Sequence, residues 1–167
     1  MVADTHSQPH EQTRARLSEL SPEVILHAGD IGELSVLDEL RAVAPVLAVR
    51  GNIDTRVRTV PDAMVIELRQ SEVLKLRILL LHIAVYGGCR LRPEVARQAR
   101  SERASLVVCG HSHVPFIGKD RGIGVFNPGS IGPKRFQLPI VLGVIDVTPT
   151  SASLRHIDCA SGAIWAP

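Results

Sequence analysis

Aspartate, histidine and asparagine recur in this chain directly after apolar runs. "VADTH" ends in Asp4 and His6, "LHAGD" in Asp30, "VRGNID" in Asn52 and Asp54, "LLLH" in His82, and "CGHSH" in His111 and His113. Carboxylate oxygens, an amide oxygen and imidazole nitrogens, with no thiolate among them, suit divalent Mn, Fe, Zn or Ni better than ions that take oxygen alone. Asp4, His6, Asp30, Asn52, His82, His111 and His113 are too many for one tetrahedral ion, and they suffice for two if one carboxylate bridges. The His-x-His pair carries this reading. Residues two apart in an extended segment point the same way, about 7 Å apart, and paired hydrolytic metals sit about 3.5–4 Å apart. His111 and His113 can therefore reach inward from one turn, one to each ion.

Such a cluster needs strand ends gathered at one edge, as open α/β sheets provide. "EVILHAGD" and "APVLAVRGN" read as buried parallel strands, each closing on glycine and a polar residue. Between them Leu34, Leu37, Leu40 and Val43 fall at helical spacing, and residues 7–23 before them, with a proline near their start, predict a first helix. "AMVIELRQSEVLKLRILLLH" predicts a hairpin, "RPEVARQARSERA" a charged helix, "SLVVCG" a buried strand, and "PFIGKDRGIGVFNPG" a strand pair about a glycine turn. The tail is β-rich. The expected fold class is α/β, with two packed mixed sheets flanked by helices in a single domain over residues 1–167. Only three residues precede Asp4, so the strand that should carry it is a stub, or the chain begins upstream of Met1.

Bulk properties exclude several classes. The formal charge of +2 and 3% aromatic content argue against stable nucleic-acid binding. Three scattered cysteines form no disulfide framework, and no export segment opens the chain, so a cytoplasmic location is expected. "ILLLHIAVY" is about half of a membrane span.

The ordered set Asp4-x-His6, Gly29-Asp30, Gly51-Asn52-x-Asp54, His82 and Gly110-His-Ser-His113, followed by "NPGS" at residues 127–130, resembles the calcineurin-like metallophosphoesterases. It is most similar to their small bacterial and archaeal phosphodiesterase branch, to which the retromer scaffold subunit is also related. The resemblance implies the four-layer fold of that family. It implies one metal on Asp4, His6, Asp30 and His113, and a second on Asp30, Asn52, His82 and His111, with Asp30 bridging. Manganese is the expected metal, with Ni, Zn, Fe or Mg as alternatives. The implied reaction is hydrolysis of a small phosphodiester or nucleotide-like substrate by in-line attack of a hydroxide bridging the two ions, with no covalent enzyme intermediate. No side chain beyond the ligands is then a catalytic group. The resemblance also suggests a homodimer. The same fold used as a non-catalytic protein-binding scaffold is the alternative.

Two positions depart from related patterns. Many metallophosphoesterases carry a proton-donating histidine where this chain has Ile53, although the small-phosphodiesterase branch usually lacks it. Ile83 follows His82 where glycine is usual. If that backbone needs a positive φ, a β-branched residue strains it and the second metal site is the weaker one. Asn52, His82 and Arg50 are the expected substrate contacts. Arg50, Arg56, Arg58, Arg90, Arg92, Lys134 and Arg135 are read as a basic rim, either steering an anion or merely solvated. His27 is expected in the core, His10 and His156 on the surface, and Asp54 in support of the Asn52 turn. Cys109 is expected as an apolar filler, and "NPGS" as a turn.

Overall fold

The computed structural model describes residues 1–166. Its first half alternates helix and strand: α1 (Thr13–Leu20), β1 (Ile25–His27), α2 (Ser35–Arg41) and β2 (Val46–Ala48). β1 and β2 pair in parallel, Ile25 opposite Val46 and His27 opposite Ala48. α1 is shorter than the expected residues 7–23. Ser21 takes a left-handed backbone (φ 46°) and ends it at Leu20. On α2 the buried face is Val36, Leu37 and Leu40, whereas Leu34 stays 42% exposed.

The stub at the start is a strand in miniature. Val2 forms an isolated parallel bridge with His27, and its amide donates to the Leu26 carbonyl. Met1 meets Gly143 of β10 (Val141–Val147), the Gly143 amide donating to the Met1 carbonyl at 2.8 Å. The three opening residues thus join β1 to the antiparallel set β10, β11 (Ala152–Asp158) and β12 (Ile164–Trp165).

A second sheet of five strands runs in the order β3 (Ala63–Gln70), β4 (Val73–Leu81), β7 (Leu106–Val108), β9 (Ile123–Asn127), β8 (Phe116–Asp120). The β3–β4 hairpin and the β8–β9 pair are antiparallel, while β4, β7 and β9 run parallel. Between β4 and β7 lie a small hairpin, β5 (Val85–Gly87) with β6 (Arg90–Leu91), and α3 (Pro93–Ser101).

Continuous apolar strands serve two cores because successive side chains point to opposite faces. Leu80, Ile78, Leu106, Val108 and Phe126 meet Ala3, Leu26, Ala28 and Val49 between the sheets. Leu79, Val107 and Val125 turn outward against Val95, Ala96 and Ala99 of α3. Ile25, Leu142 and Ile157 pack outward against Leu17 of α1 and Val36, Leu37 and Leu40 of α2. The layers are helix, sheet, sheet, helix, the fold class expected from the sequence. No helix among the described residues is long and apolar enough to cross a membrane.

Candidate metal centre

The polar residues that follow β1, β2, β4 and β7, and those that follow Val2, meet along one edge of the two sheets. They form two groups, Asp4 with His6 and His113, and Asp30 with His82 and His111, each with candidate ligand atoms within 4.8 Å of one another. Asn52 Oδ1 completes the second group, 3.0 Å from His82 Nε2 and 2.8 Å from His111 Nδ1. Asp30 stands between the groups. Its Oδ1 lies 3.2 Å from His82 Nε2 and its Oδ2 lies 3.8 Å from His6 Nε2. All seven residues singled out in the sequence are therefore brought together.

The backbone is bent to achieve this. Asp4, His6, Asp30, His111 and His113 all have left-handed φ, between 48° and 68°. Non-glycine residues adopt this region at a cost of about 1–3 kcal/mol each, and Asp and His tolerate it better than most. Gly51 is required by close approach, since a Cβ there would stand 2.0 Å from Asp30 Oδ1. Ile83 lies outside the left-handed region. The expected strain at Ile83, and with it the reason to rank the second group as weaker, falls away.

Hydrogen bonds specify what the imidazoles offer. His82 Nδ1 lies 2.8 Å from the Ala28 carbonyl, to which it can only donate. In the neutral ring Nε2 is then an unprotonated acceptor, facing Asp30 Oδ1 and Asn52 Oδ1, which are acceptors too. Three lone pairs converge on a point that only a proton or a cation can satisfy. In the first group His6 Nε2 and His113 Nε2 face each other at 3.2 Å, their rings stacked 5.1 Å apart, with Asp4 Oδ1 3.4 Å from His113 Nε2. His113 Nδ1 is buried without a partner. This mixed nitrogen and oxygen donor set fits divalent transition ions.

The electrostatics agree. Burial pulls His82 down, but its hydrogen bond with Asp30 and the charge of Asp4 outweigh that and raise its pKa. Burial pushes Asp30 up, yet the hydrogen bond and charge of His82 and the Ile53 amide hold it at about 2. Asp4 is pushed up to about 7 by burial, reinforced by the nearby Asp30 charge. His113 is pulled down to about 4 by burial and then by Arg135. Buried anions compete here for positive charge; burial favours the neutral, metal-binding form of His6, His111 and His113, whereas Asp30 and Asp4 hold His82 towards its protonated form.

Several supporting residues act through the ligands. Asp54 is buried and accepts the amides of Ile31 (3.0 Å), Gly32 (3.0 Å) and Gly51 (2.7 Å), tying the Asp30 loop to the Asn52 loop. His27 is a core residue as expected, bonded to Thr5 Oγ1 at 2.5 Å and accepting the Gly29 amide. "NPGS" does more than turn. Asn127 Nδ2 donates to the Gly110 carbonyl (2.8 Å) and Ser112 Oγ (3.1 Å), and Ser130 Oγ donates to the Asp4 carbonyl (2.9 Å). Adjacent polar residues after a buried strand are the only sequence signal for these clamps.

Of the remaining residues singled out in the sequence, His156 departs from the surface position expected of it. Arg50 closes its guanidinium on Asp62, Nε to Oδ1 at 2.5 Å and Nη2 to Oδ2 at 2.9 Å. His156 is buried, donating from Nε2 to the Asn127 carbonyl at 2.7 Å and stacked on Phe126. His10 is half-buried, accepting the Gln12 amide. Of the basic rim, Arg135 reaches the site, its Nη2 lying 3.2 Å from His6 Nε2. A cavity of about 700 Å³ opens at the opposite strand ends, beside Met1, Leu26 and Gly143, and contains none of the seven residues.

The profile of the calcineurin-like phosphoesterase superfamily domain matches residues 1–150, and the chain belongs to that superfamily. A probable metallophosphoesterase of Methanocaldococcus jannaschii is 29% identical over 161 residues, 95% of this chain and 80% of that protein. Vps29 of Entamoeba histolytica, solved with zinc, superposes with a TM-score of 0.74 at 19% identity over 98% of this chain and 93% of its own. The phosphoesterase Yfce of E. coli does so with a TM-score of 0.67 at 22% identity over 99% and 94%. Membership supports a phosphoesterase function and implies divalent metal ions.

Proposed function

We propose that this chain hydrolyses small phosphodiesters or nucleotide-like esters with two divalent ions, manganese foremost. Asp4, His6, Asp30 and His113 would hold one ion, and Asp30, Asn52, His82 and His111 the other. The observation that carries the reading is Asp30, whose two carboxylate oxygens face the two groups separately, at 3.2 Å and 3.8 Å from their imidazoles. Bound there, divalent ions supply Lewis acidity, lowering the pKa of water and polarising phosphoryl oxygens. The chain's own part is to fix that geometry. The Ile53 amide donates to Asp30 Oδ1 (3.1 Å), and the His111 amide donates to both oxygens of Asp4 (3.1 and 3.0 Å). Only two carboxylates stand among the seven residues, so a loaded site keeps net positive charge, which complements a phosphodiester monoanion. Arg135 at the rim adds to that field. Ile53 is 44% exposed at the site and donates no side-chain proton, which favours esters whose alcohols leave easily.

Metal-stripped protein, reloaded with Mn, Ni, Zn or Mg, tests this on bis(p-nitrophenyl) phosphate and p-nitrophenyl phosphate. The expected result is diester cleavage with at least one metal, two ions per chain at saturation, and a loss of at least about a hundredfold in Asp30→Asn. A folded protein that is inert with every metal and takes up fewer than two ions overturns the proposal. A binding scaffold would then be the better reading, though such a scaffold needs none of the seven residues.

A further inference from the structure

Next to His111 lies a feature that the seven residues do not use. A cavity of about 250 Å³ is walled by Ile83, Val85, Tyr86, Val114 and Phe116 and ends against Gly110 and His111. A cavity of roughly 150 Å³ holds one benzene, so this one has room for a single planar ring and the atoms that tether it. Tyr86 stands on the β5–β6 hairpin and is 66% exposed. Beside it Gly87 and Gly88 leave open space, with no atom within 4 Å of where a Cβ would be. The Arg92 guanidinium carbon lies 5.0 Å from the Tyr86 ring centroid, and Arg92 Nε is buried without a hydrogen-bond partner. An apolar slot, an exposed aromatic ring and a guanidinium therefore adjoin one end of the candidate metal centre.

We propose that this slot is the subsite for the organic group of the substrate, and that it takes a planar aromatic ring, aryl or nucleobase, stacked on Tyr86. The inference rests on the hydrolase reading for the place of the phosphate. His111 belongs to both the slot and the second group, so a phosphate held there directs its ester along the wall from His111 to Tyr86. The volume of about 250 Å³ limits the slot to one ring and not a strand of stacked bases.

The lone tyrosine also supplies the probe. Protein labelled with 3-fluorotyrosine gives one fluorine resonance, that of residue 86. Manganese would broaden it, so the zinc-loaded protein is titrated with benzylphosphonate, a nucleoside 5′-phosphorothioate, methylphosphonate and inorganic phosphate, and affinities are taken by calorimetry. Both ring-bearing ligands, or one of the two, should shift the resonance saturably and bind at least about fivefold tighter than methylphosphonate. The stronger of the two tells aryl from nucleobase. The preference should vanish in Tyr86→Ala and persist in Tyr86→Phe, as stacking on a single ring requires. No ring preference, or one that survives Tyr86→Ala, overturns the subsite even if diesters are cleaved. A ring preference in a protein that cleaves nothing leaves Tyr86 as a ring-binding slot and removes the hydrolase reading.

Discussion

Replacing Asp54 with alanine tests whether the site is held by the loop beneath it. The Asp54 carboxylate is 3% exposed and accepts three backbone amides, those of Ile31, Gly32 and Gly51. Hydrogen bonds to a carboxylate contribute about 1.5–3 kcal/mol each. Gly32 and Gly51 are half-buried, so water can replace part of their loss. The net cost is then about 4 kcal/mol, taken from a total that rarely exceeds 15 kcal/mol. At about 2–4 °C per kcal/mol for a chain of this size, the midpoint of thermal unfolding should fall by roughly 8–16 °C. Calorimetry of the metal-free protein measures it. The Asp30 and Asn52 loops also part in this variant, so the second ion should bind more weakly in a competition titration. Asp54→Asn keeps one acceptor oxygen and should fall between the two. A midpoint within about 2 °C of the parent, with unchanged metal affinity, would refute the clamp.

Two further predictions concern charge. His27 is fully buried, and burial pulls its pKa down to about 4 from an ordinary 6.5. Between those values the unfolded chain binds the extra proton, so the stability His27 contributes is complete above about pH 6.5 and falls as pH drops towards 4, by ~3 kcal/mol. Asp4, pushed up to about 7 by burial, acts with the opposite sign in the metal-free protein. The difference between parent and His27→Gln across that range isolates the histidine, and a gap independent of pH would contradict its buried neutral state. Among the arginines, Arg135→Ala should raise KM for anionic diesters severalfold at low salt, because its guanidinium reaches His6. Arg50→Ala should not, because Arg50 is spent on Asp62. Equal effects in steady-state kinetics would reverse that assignment.

Much of the site was legible because its residue types are local facts. Asp30 after "LHAG", Asn52 after "VRG" and the paired histidines after "VVCG" announce strand ends through apolar runs that stop abruptly. Four of the helices and strands of the first half follow equally from periodicity. The pairing of Arg50 is hidden from the sequence for the opposite reason. Its partner Asp62 lies twelve positions on, across a loop with no regular spacing, and nothing local reveals the pair. His156 reads as a surface residue within "SLRHID", yet β11 turns it beneath the Asn127 carbonyl and onto Phe126.

The chain by itself determined which donors are present, their order, and the strand ends that carry them, since alternation and apolar run length are written residue by residue. Tertiary structure alone decided that Asp30 divides its oxygens between two histidine groups, that Asp54 and Asn127 brace the loops, and that Tyr86 flanks the centre. Those relations depend on how separate sheets twist and pack, and distances between residues far apart in sequence are set by the summed packing of every layer between them.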